Sequence, residues 1–202
     1  MKLKLIFNMK NQDIYLFFDT ETTGLPKNWK APVTDTENWP RIVQIAWILS
    51  SKESGRIESK DYIIRPEGFV IPKESSNVHG ITTEQANVEG INLSDVLLEF
   101  EKAMSQSTCL VGHNINFDEK VLGAEFIRKG FNNDFFDKKR LCTMQSSTQY
   151  CQLPGRYGYK WPTLSELNNT LFGRDFEDAH NAAGDINATE NCFWKLRELG
   201  VI

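Results

Sequence analysis

Asp19 and Glu21 stand two residues apart, just after the apolar run Ile14-Tyr15-Leu16-Phe17-Phe18. Side chains alternate along a strand, so both carboxylates leave the same side of the sheet. Two acids at the end of a buried strand are costly unless they are paired or bound to a cation. A second group, Gly112-His113-Asn114-Ile115-Asn116-Phe117-Asp118, also closes an apolar run and opens a helix. Asp118 falls in the first turn of that helix, where a carboxylate suits the dipole. The third group is His180-Asn181-Ala182-Ala183-Gly184-Asp185. Five positions along one helix rotate about 140° at 3.6 residues per turn, so His180 and Asp185 cannot share a face. His180 therefore belongs in an approach loop, with Asn181 as N-cap and Asp185 near the first turn.

Each group alone is commonplace: a solvated strand end, a helix-start acid, a hydrogen-bonding histidine. Together they supply four carboxylates and one imidazole, every one at the edge of an element. Such a set suits hard, oxygen-preferring cations, Mg²⁺ or Mn²⁺ rather than zinc. Two such ions, about 3.5–4 Å apart, clamp the attacking and leaving oxygens of an in-line phosphoryl displacement. An imidazole that is neutral near pH 7 takes the proton from the attacking water. The set is chemically complete for hydrolysing a phosphodiester.

The elements that must position these groups follow from periodicity. Ile14–Phe18 is continuous and apolar, as a central strand covered on both faces requires. Residues 42–51 and 57–65 predict two further strands, with Gly55 marking a hairpin-like turn between them. Pro26–Arg41, with two Trp and three Pro, reads as a long surface loop. From residue 74 the pattern turns helical. Thr82-x-x-Gln85 offers a capping box, and Val96, Leu97, Phe100 and Met104 follow at helical spacing. Residues 108–112 make another short buried strand. Phe117, Val121, Leu122 and Phe126 lie on a helix stopping at Gly130. Thr163-x-x-Glu166 caps a helix ending near Gly173, and Ile186, Phe193 and Leu196 share a last helix ending at Gly200. Strands first, then helices around one further strand, predict an α/β architecture with a mixed sheet.

The 202 residues suit one domain, read as residues 13–202 behind an N-terminal extension of residues 1–12. The composition, 40% hydrophobic and 25% charged, is that of a soluble globular chain. No apolar run approaches the roughly 20 residues of a membrane helix, and the start lacks a signal-peptide pattern. Cys109, Cys142, Cys151 and Cys192 are scattered, without the spacing of a zinc site, and read as reduced thiols of a cytoplasmic protein. A net charge of −4 argues against coating duplex DNA through a broad basic surface. It leaves open a grip on a strand end through metal ions.

Phe18-Asp19-Thr20-Glu21-Thr22-Thr23-Gly24, His113-Asn114-x-x-Phe117-Asp118 and His180-x-x-x-x-Asp185 resemble, in order, the three motifs of the His-type DEDD exonucleases. That family includes the proofreading epsilon subunit of bacterial DNA polymerase III and ribonuclease T. The resemblance spans nearly the whole domain. It implies a ribonuclease H-like fold, a five-stranded mixed sheet with its second strand antiparallel and helices on both sides. It also implies 3′→5′ exonuclease activity, with Asp19, Glu21, Asp118 and Asp185 as ligands of two Mg²⁺ or Mn²⁺ ions and His180 as general base. Val78-His79-Gly80-Ile81-Thr82 resembles the family's segment beside the substrate, so Glu74 and His79 are carried over as substrate contacts. Thr20, Gly24 and Leu25 should lie along the terminal nucleotide, and Phe117 beside it, with Leu25 able to wedge a base.

The implied partner is a single-stranded 3′ end, DNA favoured over RNA, with no membrane. An exoribonuclease and a polymerase-associated proofreading module are the alternatives. The chain ends after its last helix, without the tail by which the replicative proofreading subunit holds its polymerase. Gly155-Arg156-Tyr157-Gly158-Tyr159-Lys160-Trp161 mixes aromatics with cations, as single-strand stacking platforms do, or is an ordinary loop packing Trp161 on the core.

Overall fold

In the computed structural model, which describes residues 13–131, 137–176 and 181–202, the first apolar run becomes β1, Ile14–Thr22. It reaches four residues beyond Phe18, so Asp19 and Glu21 are still in the strand. The wholly buried β2, Ile42–Ser51, runs antiparallel to it, pairing Phe17 with Ile48 and Glu21 with Gln44. β3, Gly55–Ile63, lies antiparallel to β2 and starts two residues before its expected place. Gly55 is its first residue rather than part of the turn: it sits at φ 65° and pairs with Ser51, a conformation that glycine adopts without strain.

β4, Cys109–Gly112, joins β1 in parallel, and β5, Lys139–Cys142, joins β4 in parallel. The order is β3-β2-β1-β4-β5, so β2 alone runs against the other four. This is the ribonuclease H-like fold, as the family resemblance implies. β5 was not foreseen. It is four residues long, sits at the sheet edge and begins with exposed Lys139 and Arg140. Such charges suit an edge strand and erase its apolar signature.

Helices follow in the order α1 Lys73–His79, α2 Thr83–Glu89, α3 Leu93–Gln106, α4 Ile115–Arg128, α5 Thr143–Cys151, α6 Leu164–Phe172 and α7 Ala182–Glu198. α5 was also missed, because among its residues Thr143, Met144 and Ser147 are the buried ones and no apolar stripe advertises it. Thr163 and Glu166 make the complete capping box expected for α6. At α2 only half of it forms. Thr82 Oγ1 accepts from the Gln85 N–H, whereas the Gln85 amide donates to Glu89.

Alternation along β1 sorts the layers. Tyr15 and Phe17 meet Phe193 of α7 on one face, with ring centroids 4.8 and 5.0 Å apart. Phe18 meets Phe100 of α3 on the other, at 5.5 Å. The β3–β4 and β4–β5 crossovers join parallel strands and step the same way along the sheet, so right-handedness puts α4 on the α3 side. Asp19 and Glu21 continue the Tyr15–Phe17 face, toward α7. The short parallel strands and the acid-bearing helices thus converge on one sheet end. Among the described residues no helix is long and apolar enough to cross a membrane. All four cysteines are free thiols, Cys142 and Cys192 buried.

Candidate active site

Where β1 ends, α7 begins on the same face. Asn181 caps α7, its side chain accepting from the Ala183 N–H at 3.0 Å, and Asp185 lies in the first turn. Ligand oxygens of Asp19, Glu21 and Asp185 all fall within 4.8 Å of one another. Three carboxylates at that separation repel strongly unless protonated or bridged by a cation. Burial pushes Asp19 well above the usual carboxylate range, reinforced by Asp118, Asp185 and Glu21. Burial likewise raises Glu21 to about 7, with Asp185 and Asp118 adding to it. The donor set is all oxygen and anionic, which fits Mg²⁺ or Mn²⁺.

Asp118 reaches this end from the opposite face. It is 3% exposed, and its Oδ1 accepts from the Thr20 N–H at 3.0 Å and the Thr20 hydroxyl at 2.7 Å. Burial raises it to about 7, although both Thr20 hydrogen bonds pull the other way. Thr20 is itself 6% exposed. Its side chain alternates away from Asp19 and Glu21 and is used in orienting Asp118. His180 lies outside the described residues.

The other expected contacts surround the carboxylates at different depths. Leu25 is 73% exposed just beyond the strand end. Gly24 sits at φ 142°, where a side chain is strained, with Ser75 of α1 beside it. Its carbonyl accepts from the Thr22 hydroxyl at 2.7 Å. His79 is buried, and its Nδ1 accepts from the Ile81 N–H at 3.1 Å. The proton is therefore on Nε2, facing the Thr22 backbone; burial lowers its pKa. Glu74 is exposed in the first turn of α1. Phe117 is half-buried and packs on Trp29 at 5.8 Å.

Several positioning residues escaped sequence reasoning. Gln44, opposite Glu21 on β2, is buried; its carbonyl accepts from the Ala182 N–H at 3.2 Å and its amide donates to Asp61 at 2.8 Å. It pins the start of α7, and so Asp185, over the strand. A glutamine inside Ile-Val-Gln-Ile-Ala-Trp was the available signal. Glu125 of α4, fully buried, accepts from Arg41 Nε at 2.8 Å and the Ile42 N–H at 3.2 Å, with Arg128 3.1 Å away. It ties the loop before β2 to the helix that carries Asp118. His113 is structural: Nδ1 lies 3.0 Å from the Thr143 hydroxyl and Nε2 3.0 Å from the Pro162 carbonyl. Burial drives it down to about 4, so it stays neutral, with Nε2–H donating to Pro162.

A five-stranded sheet with β2 reversed, ending in half-buried carboxylates from β1 and α7 and the buried Asp118 of α4, defines a nuclease of the ribonuclease H-like class. Residues 16–193 match the RNase_T family, described as exonuclease. The chain belongs to that family and is a DEDD-superfamily 3′→5′ exonuclease acting on nucleic acid. An uncharacterized exonuclease, CP81, of Escherichia phage 186 is 28% identical over 187 residues, covering 88% of this chain and 85% of that protein. The PolC-type DNA polymerase III of Staphylococcus aureus is 25% identical over 199 residues, covering 93% of this chain and 12% of the polymerase. Among solved structures, exonuclease I superposes with a TM-score of 0.73 at 21% identity, over 93% of this chain and 41% of that one. E. coli exonuclease I bound to a dT13 oligonucleotide gives 0.72, also at 21% identity, over 94% of this chain and 42% of that one. The chain thus spans about two fifths of exonuclease I and a small part of the polymerase.

Proposed function

We propose that this exonuclease trims single-stranded DNA from its 3′ end, releasing nucleoside 5′-monophosphates with the help of two divalent cations. The observation that carries the proposal is the gathering of Asp19, Glu21 and Asp185 oxygens within 4.8 Å, with Asp118 held by Thr20 alongside. These four carboxylates would hold Mg²⁺ or Mn²⁺, which would supply Lewis-acid stabilisation of the charge developing on the phosphate.

The chain's own residues do the rest. His180 takes the proton from the attacking water, as the spacing of His180-x-x-x-x-Asp185 suggests. Gly24 and the exposed Leu25 flank the terminal nucleotide, Leu25 against its base. Phe117 offers a ring face nearby. Glu74 and neutral His79 contact the sugar end, and Thr20 acts through Asp118. DNA is favoured because exonuclease I has been solved with dT13 and with dA16. A second reading, a proofreading module working beside a polymerase, draws on the similarity to part of the PolC-type polymerase.

The test is a gel assay of 3′ trimming on end-labelled single-stranded DNA and its RNA twin, with Mg²⁺, Mn²⁺ or EDTA. A cation-dependent ladder on DNA is expected. A ladder confined to RNA would overturn the DNA assignment, and co-purification of a polymerase would favour the second reading. His180→Ala should slow DNA trimming by about 10²–10⁴; an undiminished rate would remove His180 as the base.

A further inference from the structure

Two exposed tryptophans from distant segments line one cavity. Trp29 is 53% exposed and Trp161 is 60% exposed. Both line a hollow of about 560 Å³, with Met144 of α5, Asn116 and Lys120 of α4 and its N-cap Asn114 completing the wall. Large aromatic surface left in water around one hollow points to a ligand.

The backbone segments that carry both tryptophans are held in advance. The segment around Trp29 is cross-braced by Asn38, whose side chain accepts from the Asn28 N–H at 2.7 Å and donates to the Asn28 carbonyl at 3.0 Å. Lys120 donates to the Trp29 carbonyl at 3.1 Å, and Arg128 to that of Trp39 at 2.7 Å. On the other wall, His113 grips the carbonyl of Pro162, next to Trp161. The hairpin of β6, Pro154–Gly155, and β7, Gly158–Tyr159, leads into Trp161 from its other side. Ordering cost on binding is correspondingly small.

The chemistry of the hollow matches a nucleobase. Flat aromatic faces stack bases with little regard to sequence. Carboxamides such as those of Asn114 and Asn116 both donate and accept, as base edges require. Lys120 keeps two of its three protons for a phosphate. The hollow lies at the first turn of α4, the turn that also carries Asp118 on another face, and Trp29 packs on Phe117.

We propose that the Trp29–Trp161 cleft is a base-stacking subsite for one of the last few nucleotides of the substrate strand. The assignment rests on the exonuclease reading of the adjoining carboxylates. It adds a contact built from the loop before β2 and the loop before α6.

The experiment uses the intact chain and single-stranded DNA carrying one abasic site at the first, second, third or fourth nucleotide from the 3′ end. One abasic position should lower wild-type kcat/KM about ten-fold or more, the range of a lost base–aromatic stack. Trp29→Ala and Trp161→Ala should lose a similar factor on the intact strand, carried by KM, and become indifferent to that abasic position. Trp29→Phe and Trp161→Phe should recover most of it. If wild-type protein trims DNA but tolerates every abasic position equally, the subsite is overturned and the exonuclease reading stands. If no strand is trimmed, that reading fails instead. Quenching of tryptophan fluorescence by a dT oligomer in EDTA, lost in the Trp29→Ala, Trp161→Ala double variant, would still support the cleft; no quenching would end it.

Discussion

Asp19 carries the sharpest conflict between stability and activity. Its carboxyl is buried among Asp118, Asp185 and Glu21, and its pKa rises for that reason. Asp19→Asn keeps the volume and removes the repulsion. Cleavage should be abolished, while the melting midpoint in EDTA should rise by at least roughly 2 °C, what about 1 kcal/mol gives a chain of this size. Residual turnover above a few per cent would remove Asp19 from the proposed ligand set. A lower melting point would mean that its carboxylate is paired after all. Thr20 shows what the family resemblance left out: it placed Thr20 along the terminal nucleotide, and alternation also sends its hydroxyl to Asp118.

Elements position the acids, and the least conspicuous contacts do much of it. α7 must begin at one height above β1 if Asp185 is to meet Asp19 and Glu21, and Gln44 sets that height through the Ala182 N–H. Gln44→Leu leaves that donor and Asp61 without their partner. Loss of such bonds costs about 1–3 kcal/mol, so the melting point should fall by roughly 2–10 °C. Half-saturation by Mn²⁺ should also rise several-fold, as Asp185 loses its support. A variant with wild-type melting and Mn²⁺ affinity would show that α7 is seated by its apolar face alone, through Phe193 and Ile186. The long runs of β1 and β2 and the stripe of α3 were legible because each is repeated over several residues. β5 and α5 were not, because an exposed edge strand and a helix with Thr, Ser and Met inward carry no period.

Across the whole molecule, the carboxylate cluster governs how pH and cations act together. Glu21 and Asp118 both titrate near 7 when folded, well above their ordinary range. Between ordinary and raised values the folded chain holds more protons than the unfolded one, so stability falls as pH rises through that window. His113, held down to about 4, acts oppositely but is spent above about 6.5. From pH 6.5 to 8, therefore, the melting point in EDTA should fall, and Mg²⁺ or Mn²⁺ should restore it more at pH 8 than at 6.5. A flat profile without cations would show that the carboxylates are neutralised by some other group. The sequence by itself determined the identity of the acids, their order and their places at the ends of elements, since strand alternation and helix capping are local rules. It also carried the family, through three motifs in register. Only the tertiary structure decided that Asp118 arrives from the far face onto Thr20, that Gln44 and Glu125 anchor the carriers, and that Trp29 and Trp161 share one hollow. Those contacts join residues 83 to 138 positions apart, and no local period encodes which distant side chains a sheet order will bring together.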